Sequence, residues 1–336
     1  MKRTVWILAM LIALLLMPMF RRRSPVSDRL IVGAIGMDRT DDEWAVSAQL
    51  LTDEKTVVDL SGRTVADAVS SSVKTVGRNL ELRQNTLLCI GEETARRYRL
   101  SAATDYLLRT GNGRLTTDVL IVRGMAADLL KTVSTKQLQE LSDRSVVFAK
   151  GVRSRLLDIC RTLSDSGDAV VPIIRVEEER GVMDGAALYI GDRFMTELST
   201  EQTVGLALLQ GDAQVCTVTV GGYTVELTDL TRRIAVESQG NAWTVTVRLT
   251  ADGAVREQTG GTADAAAVEN RIGRCVADAL QVTAQAYGSD LCGLWDSIKK
   301  QMPYTASLSE SDRKRHLQNS DYVVNVAVNI TETGAR

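Results

Sequence analysis

One histidine, His316, stands in 336 residues, and no two cysteines are spaced Cys-x-x-Cys. Zinc sites built from several histidines are excluded, and a Ser-His-Asp arrangement would depend on that single imidazole. It falls in Asp312-Arg313-Lys314-Arg315-His316, which reads as the solvated face of a helix before the last strand. No Gly-Lys-Ser/Thr follows Gly33-x-x-Gly36, so these glycines read as strand packing or a bulge and not as a phosphate loop. Aromatic residues make up 4%, too few for base-stacking platforms. Basic residues are not in excess either. Outside Lys2, Arg3 and Arg21 to Arg23, the body has 35 basic against 42 acidic residues. A nucleic-acid partner, which needs a basic face, is therefore not expected.

Five cysteines, at 89, 160, 216, 275 and 292, leave an odd thiol, and the first three sit in apolar stretches or elements as small buried hydrophobes do. Asp41-Asp42-Glu43 lacks the spaced oxygen ligands of a calcium loop and reads as a solvated turn. Arg96-Arg97 and Arg313-Lys314-Arg315 could meet anionic headgroups, although a plain solvated surface is the favoured reading. No catalytic, cofactor-binding, metal-binding or lipidation residue is assigned, no cofactor is expected, and the chain is read as a non-enzyme.

What is present begins at the N-terminus. Val5 to Phe20 is an apolar run of 16 residues, flanked by Lys2-Arg3 and Arg21-Arg22-Arg23. As a helix it would span about 24 Å, slightly short of a hydrocarbon core of about 30 Å. Small residues for signal cleavage are missing around Leu16 to Arg21, so an uncleaved signal anchor over 1–23 is expected. The three arginines on its distal side oppose export under the positive-inside rule.

Beyond it the pattern is α+β, with two mixed domains expected at 24–176 and 182–336 around the charged break Glu177 to Gly181. Arg29 to Met37 is a continuous apolar strand, and Trp44, Val46, Ala48 and Leu50 alternate as its hairpin partner. Further strands are expected at 85–90, 116–123 and 169–176, with helices at 64–76, 92–98, 102–109, 125–132 and 145–163. In the second domain, hairpins turn at Gly191-Asp192 and Gly221-Gly222, and Ser199-x-x-Gln202 is a capping box. Thr262 to Met302 carries an apolar stripe at helical spacing, open to interruption at Gly288 and Gly293. The C-terminal domain is thus expected to be an antiparallel sheet packed with a long helix and closed by a strand at 322–331, whose Val324, Val326, Val328 and Ile330 face inward.

In order along the body, several segments resemble the C subunits of the nutrient receptors that trigger germination of bacterial endospores, the Ger(x)C or GerAC-like family. They are Ile31 to Asp38, with its Gly-hydrophobic-Asp end, Leu87 to Ala95, and Leu107-Leu108-Arg109 followed by Leu120 to Gly124. Gly185 to Tyr189, Leu198 to Leu206, Asp252 to Glu257, Ser289-Asp290, Gly293, Pro303 and Thr331 to Gly334 continue the series. Each motif is weak alone, and collinearity over some 300 residues makes the match specific.

The resemblance implies a lipoprotein-like, non-enzymatic receptor subunit on the outer, extracytoplasmic face of the spore inner membrane. It also implies two polytopic partners, an A-type subunit and a permease-like B-type subunit. Where the family carries a lipid-modified cysteine followed by tryptophan, this sequence has Phe20 and Arg21. A membrane-tethered enzyme or solute-binding module is the alternative reading, and a cytoplasm-facing anchored protein a third.

Overall fold

A strand buried on both faces sets the first layer. All five residues of Leu87–Gly91 are buried; Leu88 and Ile90 join one apolar cluster, Leu87 and Cys89 another. Such a strand is stable only in a sheet with cover on both sides. The computed structural model describes residues 29–331 apart from 41, 111–112, 166, 240–241 and 260–263. The expected anchor, and Phe20 with it, lies outside the described residues. Among those residues no helix is long and apolar enough to cross a membrane.

The first unit opens with β1 (Arg29–Thr40), β2 (Glu43–Leu50), β3 (Val57–Gly62), α1 (Val65–Ser70), α2 (Ser72–Val76) and β4 (Asn79–Glu81). Next come β5 (Leu87–Gly91), α3 (Glu92–Arg97), α4 (Leu100–Arg109), β6 (Asp118–Val122), α5 (Ala126–Thr132) and α6 (Thr135–Val147). It closes with α7 (Leu156–Asp165), β7 (Ala169–Glu177), β8 (Arg180–Ile190) and β9 (Arg193–Leu198). The sheet order is β3-β2-β1-β5-β6-β7-β8-β9, with β4 beside the start of β1. Strands β1, β4, β5, β6 and β7 are parallel, so they begin at one end of the sheet and finish at the other. Helices α5 and α6 cover one face, while α1, α4 and α7 cover the opposite one. At Gly36 α5 lies tight against β1, since a Cβ there would crowd Ala126 and Leu130. Gly33 lies at a register shift between β1 and β2. Both match the reading of these glycines as packing or a bulge.

The second unit consists of α8 (Thr200–Gln210), β10 (Cys216–Val220), β11 (Tyr223–Gln239), β12 (Ala242–Gln258), α9 (Ala265–Leu280), α10 (Leu294–Gln301), α11 (Glu310–Gln318) and β13 (Asp321–Thr331). Both halves of the Ser199/Gln202 capping box form at the start of α8. The sheet order is β10-β11-β12-β13. Trp243, Val245, Val247 and Leu249 pack on Val268, Ile272 and Val276 of α9 in one core. Gly205 lets α8 approach α9 closely, because a Cβ there would collide with the Cys275 carbonyl. The other sheet face is polar, with Thr217, Thr219, Arg248, Thr250, Asn325 and Asn329 exposed.

Several local expectations change. The helix expected over 145–163 is two helices. α6 already starts at a capping box, Ser134 with Gln137. It ends where Ala149 adopts a left-handed φ of 53° and the Ser145 carbonyl accepts from the Lys150 and Gly151 N–H groups. β3 is a strand beyond those expected, with Val58 and Leu60 pointing inward and Asp59 outward. The long helix of 262–302 stops after a π-helical turn at Gln281–Gln285; Gly288 turns left-handed and α10 starts afresh at Leu294. β13 joins β12 in parallel, so the second sheet is mixed and not antiparallel. The crossover through α9 to α11 returns the chain to the start of β12, and the last strand then runs the same way.

The charged stretch 177–181 is the hairpin turn between β7 and β8, with Glu177 paired to Arg180. Apolar packing continues across it: Val170, Ala186 and Leu198 share a core with the second unit. Glu178 and Glu179 both hold positive φ, 47° and 62°, the mirror-image turn that favours Asn-Gly. Glu179→Gly should therefore raise stability by about 0.5–1 kcal/mol, read as a higher urea midpoint at unchanged slope. A lower midpoint would contradict this turn geometry.

Candidate functional site

Side chains of both charges converge where the parallel strands finish. Near the end of β1, Asp38 is buried, and its two carboxylate oxygens accept from the Ala126 and Ala127 N–H groups at 3.0 and 3.1 Å. These N–H groups open α5, so the carboxylate satisfies donors that have no partner inside the helix. Burial pushes the Asp38 carboxyl above the usual carboxylate range in spite of these bonds. At the end of β5, Gly91 leaves room for it, since a Cβ at 91 would collide with Asp38 Oδ1.

β6 leads into Arg123, whose guanidinium meets three carboxylates. It donates to Glu197 in a fork at 2.8 and 2.6 Å, to Asp184 at 2.9 Å and to Glu92 at 3.0 Å. Glu92 opens α3, Asp184 lies on β8 and Glu197 on β9, so one side chain ties three elements to β6. Arg96 adds a second cation, bonded to Glu92 at 3.0 Å and to Glu197, above the Phe194 ring. The Arg123 guanidinium holds Glu197 below the ordinary glutamate range, and the carboxylates raise Arg123 in turn.

Beside this cluster, Arg39 lies 4.1 Å from the Tyr98 ring centre and 5.3 Å from that of Trp44. Its backbone N–H donates to Thr94 Oγ1 at 2.7 Å, while its Nε is buried with no acceptor among the described residues. Asp38, Arg39, Glu92, Thr94, Arg96 and Met125 line a cleft of about 480 Å³. This arrangement fixes geometry. The carboxylates of the cluster are engaged with arginines or backbone N–H groups, and Arg39 could receive an anionic group.

Other residues singled out in the sequence lie elsewhere. His316 is half-buried on α11, and its ring stacks on Trp243 at 4.2 Å and 5°. That corrects the solvated-face expectation: β12 and α11 pack together, and the ring shields Trp243. Arg313 lies over Trp295, and Lys314 pairs with buried Asp168 of the first unit at 3.1 Å. Arg96 and Arg97 pair with Glu92 and Glu93. Asp42 lies in the β1–β2 turn, Glu43 starts β2, and Asp41 is outside the described residues. No disulfide forms among the cysteines; burial pushes the Cys89 thiol up to about 12 and Cys216 to about 11, which keeps both protonated. Among the described residues no group of His, Cys, Asp or Glu is placed to hold a metal ion. Sequence reasoning gave Asp38, Glu92 and Arg123 no role, although all three sit in motifs that carried the resemblance.

Two family models match the chain in order. Residues 22–176 match one described as a spore germination protein N-terminal domain. Residues 184–334 match one described as spore germination B3/GerAC-like, C-terminal. YfkR of Bacillus subtilis (strain 168), named as a candidate spore germination protein, is 25% identical over 246 residues. That alignment covers 64% of this chain and 63% of YfkR, so the chain spans less than two thirds of the relative's length. The crystal structure of the GerBC protein superposes with a TM-score of 0.60 at 17% identity, covering 88% of this chain and 96% of that one. At that identity the likeness is one of fold.

Arg123→Ala should destabilise the chain by about 2–4 kcal/mol near neutral pH, because three half-buried carboxylates lose their common partner. The contribution of a depressed carboxyl is complete above its unfolded pKa and is lost as pH falls through its folded pKa. The gap between wild type and variant should thus close on acidification below the ordinary glutamate range, in urea titrations across pH. A gap that stays constant with pH would contradict the assignment.

Proposed function

The chain belongs to the GerAC family of spore germination proteins, and from that premise we propose that it is the C subunit of a germinant receptor. In this reading it is a non-enzymatic, membrane-anchored scaffold that works with an A-type and a permease-like B-type polytopic subunit. The observation that carries the proposal is the succession of both family models, which together take in nearly the whole body. The site geometry supports it: Glu197, Glu92 and Asp184 are each tied to Arg123, which suits a rigid coupling element better than a reaction centre.

Val5 to Phe20 is proposed as the anchor over 1–23, with sequence modules at 24–176 and 182–336 behind it. Helix insertion would replace the lipid attachment that the family makes at the position of Phe20. The body is proposed to lie on the outer face of the spore inner membrane, where export prevails over the bias of Arg21 to Arg23.

Affinity capture of the tagged full-length chain from detergent-solubilised spore inner membranes tests this. Two polytopic membrane proteins should co-purify with it, and spores lacking the chain should lose their response to at least one nutrient. Recovery of the chain away from the spore membrane fraction, with no polytopic partner and an unchanged germination response, would overturn the proposal.

A further inference from the structure

We propose that the end of the first sheet where the parallel strands begin lies against the headgroups of an anionic phospholipid bilayer. β1, β4, β5, β6 and β7 all start there, and the segments feeding them expose apolar side chains. Val73 on α2 is 48% exposed and Val76 39%. Leu115, before β6, is 48% exposed; Leu157, at the start of α7, is 38% exposed and donates its N–H to the Leu115 carbonyl at 3.0 Å. Four of the eleven large apolar residues exposed among the described residues therefore share one end.

Cations lie between them. Lys74 and Arg78 follow Val73 on the way into β4, Arg83 precedes β5, and Arg114 adjoins Leu115; all four are exposed. Of the acidic groups there, Glu81 pairs with Arg29 at 2.5 Å and with Arg83 at 3.6 Å, half-buried Asp118 accepts from Ser142, Asp53 accepts from Thr56, and Asp143 beside Asp118 is exposed. Exposed apolar side chains among lysine and arginine make up an interfacial surface, with the apolar groups entering the headgroup layer and the cations meeting lipid phosphate. The body as a whole is acidic, so this concentration of cations is not its average surface. At the opposite end Glu92, Asp184 and Glu197 are paired with Arg123 and Arg96.

The occupant follows from where the chain leads. Arg29 starts β1 at this same end, and eight residues, 21–28, separate it from the apolar run ending at Phe20. Fully extended, they reach at most about 29 Å, and three of them are arginine. A membrane holding that run lies within this reach of Arg29, at the sheet end that Val76 and Leu115 share. The inference rests on the proposed anchor for the identity of the surface.

The test uses the full chain in vesicles of phosphatidylcholine with about 30% phosphatidylglycerol. Environment-sensitive labels are placed by Val76→Cys, Leu115→Cys, Arg233→Cys or Ala13→Cys in a Cys160→Ser background, since the other four thiols are buried. Labels at 76 and 115 should lose fluorescence to spin-labelled headgroups, while one at 233, on the exposed sheet face of the second unit, should not. The combined change Arg83→Glu and Arg114→Glu should abolish that loss, and vesicles of phosphatidylcholine alone should weaken it. A label at 13 quenched by acyl-chain spin labels, with 76 and 115 no more quenched than 233, would overturn the docking surface and leave the anchor standing. No quenching at 13 would refute the anchor, and labels 76 and 115 would then still decide whether this end binds lipid. Quenching at 76 and 115 that survives the double charge reversal would overturn the role given to the cations.

Discussion

Arg123 is the constraint on which the first unit turns. It leaves the end of β6 with a five-donor fork and finds carboxylates from α3, β8 and β9 within hydrogen-bond reach. A half-buried guanidinium is tolerable only with such partners, and three carboxylates are tolerable side by side only around a cation. The cluster therefore sets where α3 leaves β5 and how β8 and β9 close the sheet. Since β9 runs directly into the capping box of α8, it also sets where the second unit begins. Asp38 works in the same place through backbone donors, fixing α5 under β1 and requiring glycine at 91.

These contacts give the molecule two unlike ends. Where the strands finish, charge is paired and the geometry is rigid, with Arg39 held between aromatic rings beside it. Where they begin, exposed apolar side chains stand among exposed cations. In the proposed role, the end where the strands begin would rest on the membrane and the rigid end would face away from it. The second unit extends the fixed surface, since its core merges with Val170, Ala186 and Leu198 and its Lys314 reaches Asp168.

Much of the fold was legible because its signals are local. The apolar run of β1, the alternation through Trp44 to Leu50, the hairpin turns at Gly191-Asp192 and Gly221-Gly222, and the Ser199/Gln202 box each encode one element within a few residues. The failures were of two kinds. Ser134 with Gln137 was an unread local signal for α6. The direction of β13 and the stacking of His316 on Trp243 depend on contacts far apart in sequence, which no window reveals. The same holds for the candidate site. Asp38, Glu92 and Arg123 were visible as motif residues, but Arg123 and Glu197 stand 74 positions apart and meet only after the sheet has closed. Nothing at 177–181 distinguished a linker from a tight turn, because a run of glutamates serves either; the turn became evident through the pairing of Glu177 with Arg180.

The central claim is that the two segments matched by separate family models form one mechanical body, joined through Arg123 and a continuous core. Native-state hydrogen exchange reads this directly, because segments that open together exchange with the same free energy. The account predicts that slowly exchanging amides of β6, β8, β9 and α8 share one opening free energy, to within about 1 kcal/mol. If β9 and α8 instead open several kcal/mol below β6, the halves are independent and the account is contradicted.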